Sequence, residues 1–343
     1  MESRLKGKIM QNFKDFKFYK GIAYILVFTV FSFYISKIAF IENLGFSILI
    51  IAILLGIFLS NVLDRFNFIE NKSSLSFCTK QLLRLAIVLY GFRLTVSDLQ
   101  DIGIQGVIYS FIIVCATFIF GYIIGVKFLK IDKQIAILVS AGSSICGAAA
   151  VLATESVLKN KAYKTSIAIS TVVLFGTLAM FIYPYFYNLG LLSINEQKMA
   201  LYIGGTLHEV AHVVGAANSL DNELISNNAV VVKMIRVIFL APFLIFVALT
   251  FIPKNTQKTK LAIPWFAVLF IVVILFNSFN IFEAKTIDLI NEIDLFLLAM
   301  AMFALGYNTK IKEIISVGFK PLVLGFILFM WLIFVGYALV FLL

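Results

Sequence analysis

Of the 343 residues, 62% are hydrophobic and only 13% charged, more apolar surface than a water-soluble fold of this length can bury. That balance excludes a soluble catalytic or binding domain as the bulk of the chain and makes it an integral membrane protein. The formal charge of +10 does not point to nucleic acid, because the lysines lie in short loops between apolar runs, where they set orientation.

Residues 1–20 form a basic N-terminus expected to be cytoplasmic (Arg4, Lys6, Lys8, Lys14, Lys17, Lys20), and 21–343 a single transmembrane transporter domain. The run at 21–40 lacks a small-residue cleavage site, so it reads as a retained signal anchor. Further apolar runs of spanning length, about 20 residues, fall near 44–63, 81–97, 104–127, 134–157, 165–187, 197–218, 229–252, 262–282, 288–307 and 321–343. The expected fold is an all-α polytopic membrane protein with about 9–11 transmembrane segments. Cys78, Cys115 and Cys146 form no C-x-x-C pair, which argues against a disulfide framework or thiolate cluster.

An offset of 215 residues pairs Gly91 with Gly306, Gly103 with Gly318, Gly121 with Gly336 and Tyr122 with Tyr337, and sets Asp98 opposite Glu313. The spacing reads as a diverged repeat, with related stretches near 81–187 and 197–343. The copies begin an odd number of crossings apart, so they are inverted, as in many secondary transporters.

Loop charges test the crossing count. Straight alternation of eleven spans leaves Lys159, Lys161 and Lys164 outside, against the positive-inside rule. If 134–157 and 197–218 each return to the side they entered, Arg65, Lys72, Lys127, Lys130, Lys133, Lys159, Lys161, Lys164, Lys254, Lys258, Lys260, Lys310 and Lys312 all fall inside. Discontinuous helices that cross would serve the same function.

The chemistry concentrates in those two segments. Gly142, Ser143, Ser144, Cys146 and Gly147 interrupt the first, and Gly204, Gly205 and Thr206 precede a new start in the second. Irregular backbone at membrane depth is tolerated only around a cavity or inside protein, although small residues also serve close helix packing. A half-helix starting inside the membrane aims free N–H groups at an anion. Ser143, Ser144, Gly147, Thr206 and His208 are therefore the expected anion-binding residues. Lys233 and Arg236, three apart on one helix face, supply electrostatic support or else snorkel to the interface. Arg84 and Arg93 invite the same two readings. Glu155 lies near a segment end, whereas Glu209 is deeper and is the expected coupling acid.

His208, Glu209 and His212 spell the zinc-peptidase pattern H-E-x-x-H. A catalytic zinc needs a third protein ligand, no other histidine exists, and Asp288 and Asp294 stand in no suitable context. The protein is therefore not expected to be an enzyme, and no cofactor is called for.

GSSICGAAAVLATE (142–155), FGTLAMFIYP (175–184), GGTLHEVAHVVGAAN (204–218) and KMIRVIFLAPFL (233–244), in this order, resemble the YeiH-type family of bacterial inner-membrane proteins. The resemblance runs from about residue 45 to the C-terminus. It implies a location in the inner membrane, sulfate export as the activity, and kinship with cation/proton antiporters and bile-acid sodium symporters. From that kinship follows an inverted-repeat core with two discontinuous helices. His212 stands where the family often has glutamine.

Together these readings give a secondary transporter of a small inorganic or sulfonate-like anion, exporting it with coupling to protons or sodium. No P-loop is present to supply ATP energy. The partners are the anion, the coupling ion and the lipid bilayer, with a homodimer allowed but unspecified. The alternatives are an anion channel on the same scaffold and an intramembrane zinc protease.

Overall fold

The computed structural model describes residues 16–38, 47–62, 69, 72–251, 265–310, 312 and 318–342, which are helical or in turns with no strand among them. Arg4, Lys6, Lys8, Lys14, Arg65, Lys254, Lys258, Lys260 and Glu313 lie outside the described residues. The helices are α1 (Phe16–Ser36), α2 (Ile48–Val62), α3 (Lys72–Arg93), α4 (Val96–Ile123), α5 (Lys133–Ser144), α6 (Ala148–Leu158) and α7 (Ala162–Asn188). They continue with α8 (Glu196–Thr206), α9 (Val210–Asn218), α10 (Glu223–Ile238), α11 (Leu240–Phe251), α12 (Trp265–Asn277), α13 (Ala284–Asn308) and α14 (Phe319–Leu342).

Seven helical stretches are long and apolar enough to cross a membrane. That is fewer than the nine to eleven expected, because α2 and α12 are short and the two glycine-rich runs are each divided in two.

The chain forms two compact units. One comprises Met1–Phe92 and Phe282–Ile311 and contains α1, α2, nearly all of α3, and α13. Its centre is the contact of α2 with α13, where a Cβ on Gly56 would lie 2.3 Å from the Phe303 carbonyl and one on Gly306 would lie 2.1 Å from that of Ile53. Glycine at these positions lets backbone meet backbone. Asn61 closes the end by donating from Nδ2 to the Thr309 carbonyl (2.9 Å).

The second unit, Arg93–Ile281 and Lys312–Leu343, holds the remaining helices. Here α4 and α14, the helices paired by the 215-residue offset, run antiparallel. Gly121 faces Leu328 and Gly125 faces Leu324, while Tyr109 Oη donates to the Gly336 carbonyl (3.0 Å). Their paired glycines behave alike too. Gly103 has φ +53° and Gly318 φ +94°, backbone that side chains with a Cβ disfavour.

Two interruptions shape this unit. The first, Ile145–Gly147, separates α5 from α6; the second, Leu207–Glu209, separates α8 from α9. Lys164 at the start of α7 bonds Asp132, the N-cap of α5 (2.8 Å), while Gly142 packs on Val172, so α5 and α7 run the same way. Gly142 also meets Val151, and α6 thus folds back beside α5. In the second segment Gly204 packs on Ala229 and Val232 of α10, while Asn218 bonds Ser226, so α8 runs with α10 and α9 against it. Each interrupted segment is a helical hairpin. Tyr183 stacks on Tyr202 and Gly176 abuts His208, so α7 and α8 are antiparallel and the two hairpins enter from opposite ends of the unit.

Candidate functional site

The hairpin tips meet. The Ala148 amide, first in α6, donates to Glu209 Oε1 at 3.1 Å, and Glu209 is itself the N-cap of α9. Gly147 makes the approach possible. Its φ is +69°, and a Cβ there would lie 2.3 Å from Glu209 Cγ.

Two cations from α10 hold the C-terminal ends of α5 and α8 at the same tips. Lys233 Nζ donates to the carbonyls of Ile145 (2.6 Å), Leu207 (2.7 Å) and His208 (2.7 Å), using all three donors. Arg236 donates from one terminal nitrogen to Leu207 (3.0 Å) and Gly204 (3.3 Å), and from the other to Ser144 (2.7 Å) and Ser143 (3.3 Å). A helix leaves its last carbonyls without intrahelical partners and its C-terminus negative. Lys233 and Arg236, both 0% exposed, answer both needs for α5 and α8. They do not snorkel.

The hydroxyls divide. Ser144 Oγ donates to the Ala141 carbonyl (3.1 Å) and Thr206 Oγ1 to that of Tyr202, each within its own helix, and the Thr206 methyl faces Gly336. Ser143 Oγ is buried without a hydrogen-bond partner. His208, 1% exposed, has neither ring nitrogen bonded; His212 keeps Nδ1 unbonded and has Nε2 at 3.4 Å from Thr177 Oγ1. Both histidines lie against Gly176. Arg84 is exposed, and Arg93 and Glu155 are half-buried.

The structure thus brings Ser143, Ser144, Gly147, Thr206, His208, Glu209, Lys233 and Arg236 to one junction. Sequence reasoning gave no role to Gly176 and Thr177 on α7 or to the Ile145 and Ala148 backbones. Gly176 and Thr177 were signalled by FGTLAMFIYP, whose small residues at mid-helix leave room for the histidines. The zinc pattern does not survive folding. Helix α9 begins only at Val210, so His208 precedes it, in the bend between α8 and α9, and does not share a helix face with His212. Among the described residues no three His, Cys, Asp or Glu side chains gather as a metal set.

These features define a class: a multi-pass, all-helical membrane protein with two interrupted helical segments meeting at a buried, charged junction. Residues 20–325 match the family described as "Conserved hypothetical protein 698", and the chain belongs to it. It is 43% identical over 327 residues to the "UPF0324 membrane protein" of Bacteroides thetaiotaomicron, covering 93% of this chain and 97% of that one. It is likewise 43% identical over 325 residues to the "UPF0324 inner membrane protein YeiH" of Escherichia coli K12, covering 94% and 93%. A "UPF0324 membrane protein" of Haemophilus influenzae is 42% identical over 325 residues, covering 93% and 96%. No solved structure matches. With these relatives and its apolar helices, the protein is a multi-pass inner-membrane protein.

Proposed function

We propose that this protein is a secondary transporter that exports a small oxyanion, of the sulfate, sulfite or sulfonate type, and that the two hairpins are re-entrant loops meeting near the membrane midplane. The observation that carries this reading is the bond from the Ala148 amide to Glu209. An internal helix N-terminus is holding an oxyanion group at the meeting point of segments that enter from opposite ends. Lengths agree: at about 1.5 Å per residue, α5 and α8 reach roughly 16–18 Å, half or so of a bilayer core of about 30 Å. Gly147, Ser143 and His208 border the anion. Lys233 and Arg236 hold the tips together and give the junction its positive field.

Of the two coupling ions, the geometry favours the proton. Sodium binds through oxygen ligands, and the carbonyls of Gly204, Leu207, His208, Ser143, Ser144 and Ile145 are already engaged by Lys233 and Arg236. Glu209 is then the proton carrier.

The test is uptake of radiolabelled sulfate and sulfite into proteoliposomes with and without a pH gradient. Wild type is expected to accumulate anion against its gradient when protons are supplied, and Glu209→Gln to lose that accumulation. Anion flux with no accompanying proton or sodium flux would mark a channel instead. No flux of either anion under any gradient would refute transport of this substrate class.

A further inference from the structure

Glu209 does something unusual for a buried acid: it reaches out of its own hairpin to cap the other one. The first amides of α6, those of Ala148, Ala149 and Ala150, precede the first intrahelical bond, from Val151 to the Gly147 carbonyl. They form the donor set an oxyanion would use. Ala148 already gives its hydrogen to a carboxylate, and Gly147 has no Cβ to keep that carboxylate away. No Lys or Arg among the described residues forms an ion pair with Glu209; Lys233 spends its donors on carbonyls. Elsewhere at the junction, Ser143 Oγ and both ring nitrogens of His208 are buried and unbonded, as is Nδ1 of His212, so the junction holds polar capacity that no protein group meets.

We propose that Glu209 is a tethered stand-in for the transported anion: as a carboxylate it fills the N-terminal end of α6, and as a neutral acid it withdraws and leaves those amides to a free oxyanion such as sulfate. The inference rests on the anion-transport reading above and adds the rule that couples the two ions. One proton leaves a hydronium ion, which becomes water, and binds one carboxylate oxygen, so one O–H bond breaks as one forms, and the hydrogen bond from Ala148 passes to the incoming anion. Anion and proton therefore occupy the junction together and move in the same direction; a dianion leaving with one proton still carries net negative charge outward, so the inside-negative membrane potential drives its export.

The groups facing Glu209 must be separated from it. Cys146, whose sulphur is within reach of the Ala150 amide, sits in the opposite tip. Lys233 and Arg236 come from α10, and His208 and His212 from its own segment. Helix α7 contributes Gly176 and Thr177 and the titratable Tyr183, which lies against Tyr202 and Thr206, and α4 contributes Tyr109, whose ring packs on Gly205.

The experiment is equilibrium binding of radiolabelled sulfate, sulfite and methanesulfonate to the purified full-length protein, from about pH 5.5 to about pH 8.5. One-proton linkage allows affinity to rise by up to about tenfold per pH unit as pH falls. Wild type should show that rise, and His208→Gln, whatever its affinity, should keep the same slope with pH. Glu209→Gln should bind with the acid-limit affinity of wild type at every pH. Glu209→Asp, too short to cap α6 fully, should bind more tightly than wild type at neutral pH while still titrating; it serves as the test if Glu209→Gln does not run as a single species on size exclusion. A wild-type pH dependence retained in Glu209→Gln, or loss of binding in a well-folded Glu209→Gln, overturns the proposal and leaves anion transport standing. Absence of binding of all three anions to wild type at every pH overturns the transport reading, and this proposal with it.

Discussion

Lys233 and Arg236 show how a buried cation is tolerated where an unpaired one costs roughly 2.5–3.5 kcal/mol at the bilayer centre. Their partners are not acids but the carbonyls at two helix C-termini, each end carrying about half a negative charge. The three-residue spacing made a shared helix face legible in the sequence. Their targets were not, because the acceptors stand as far as 93 residues away in the chain, at Ser143, and become neighbours only through folding. Lys233→Met keeps most of the side chain's volume but orphans the carbonyls of Ile145 and His208 and leaves that of Leu207 to Arg236 alone, and each buried group left unsatisfied costs on the order of 1–3 kcal/mol. The melting temperature of the purified protein should fall by several degrees, and less in Lys233→Arg. An unchanged melting point in Lys233→Met would show that Lys233 does not hold the tips.

The hairpins were legible as interruptions and not as hairpins. Runs such as Gly142–Ser144 and Gly204–Thr206 marked where a helix would falter, and the breaks follow at Ile145–Gly147 and Leu207–Glu209. The sequence did not reveal that Ser144 and Thr206 turn their hydroxyls back onto their own helices, or that His208 lies outside α9. A zinc site of the H-E-x-x-H type needs both histidines on one helix, and the N-cap at Glu209 leaves only His212 on α9. The fold-back itself is latched by Asp132, which caps α5 through the amides of Gln134 and Ile135 and pairs with Lys164 of α7. Partial desolvation works against its charge, yet Lys164 and the two amides outweigh it and hold the carboxyl below its ordinary value. A lowered carboxyl contributes stability above the unfolded-state value, near 4, that is lost as pH falls through the folded one. The side chain is 45% exposed, so screening keeps the effect small. Asp132→Asn should lower the melting temperature slightly at neutral pH and flatten its fall below about pH 4. Equal acid sensitivity in the variant would remove Asp132 from the latch.

For the whole molecule, the decisive evidence is where the cations lie. Lys127, Lys130 and Lys133 flank the turn before α5, and Lys159, Lys161 and Lys164 the turn before α7; the Lys164 to Asp132 bond puts both turns at one end of the unit. The opposite turns, 189–195 and 219–222, contain no Lys or Arg. The positive-inside rule predicts a cytoplasmic position for the lysine-rich end, and a prediction of this kind requires that α5–α6 and α8–α9 return to the side they entered. Eleven apolar runs suggested the count of segments, but not which of them cross, because hydropathy is the same for a helix that spans and one that turns back. Single cysteines at Lys130, Lys161, Gly190 and Asp221, in a chain lacking Cys78, Cys115 and Cys146, separate the cases. An impermeant thiol reagent applied to cells with a permeabilised outer membrane should label Gly190→Cys and Asp221→Cys directly, and Lys130→Cys and Lys161→Cys only once the inner membrane is opened. If Lys130→Cys and Lys161→Cys label from opposite sides, α5–α6 crosses the membrane, and two hairpin tips meeting from opposite faces can no longer account for the junction around Glu209.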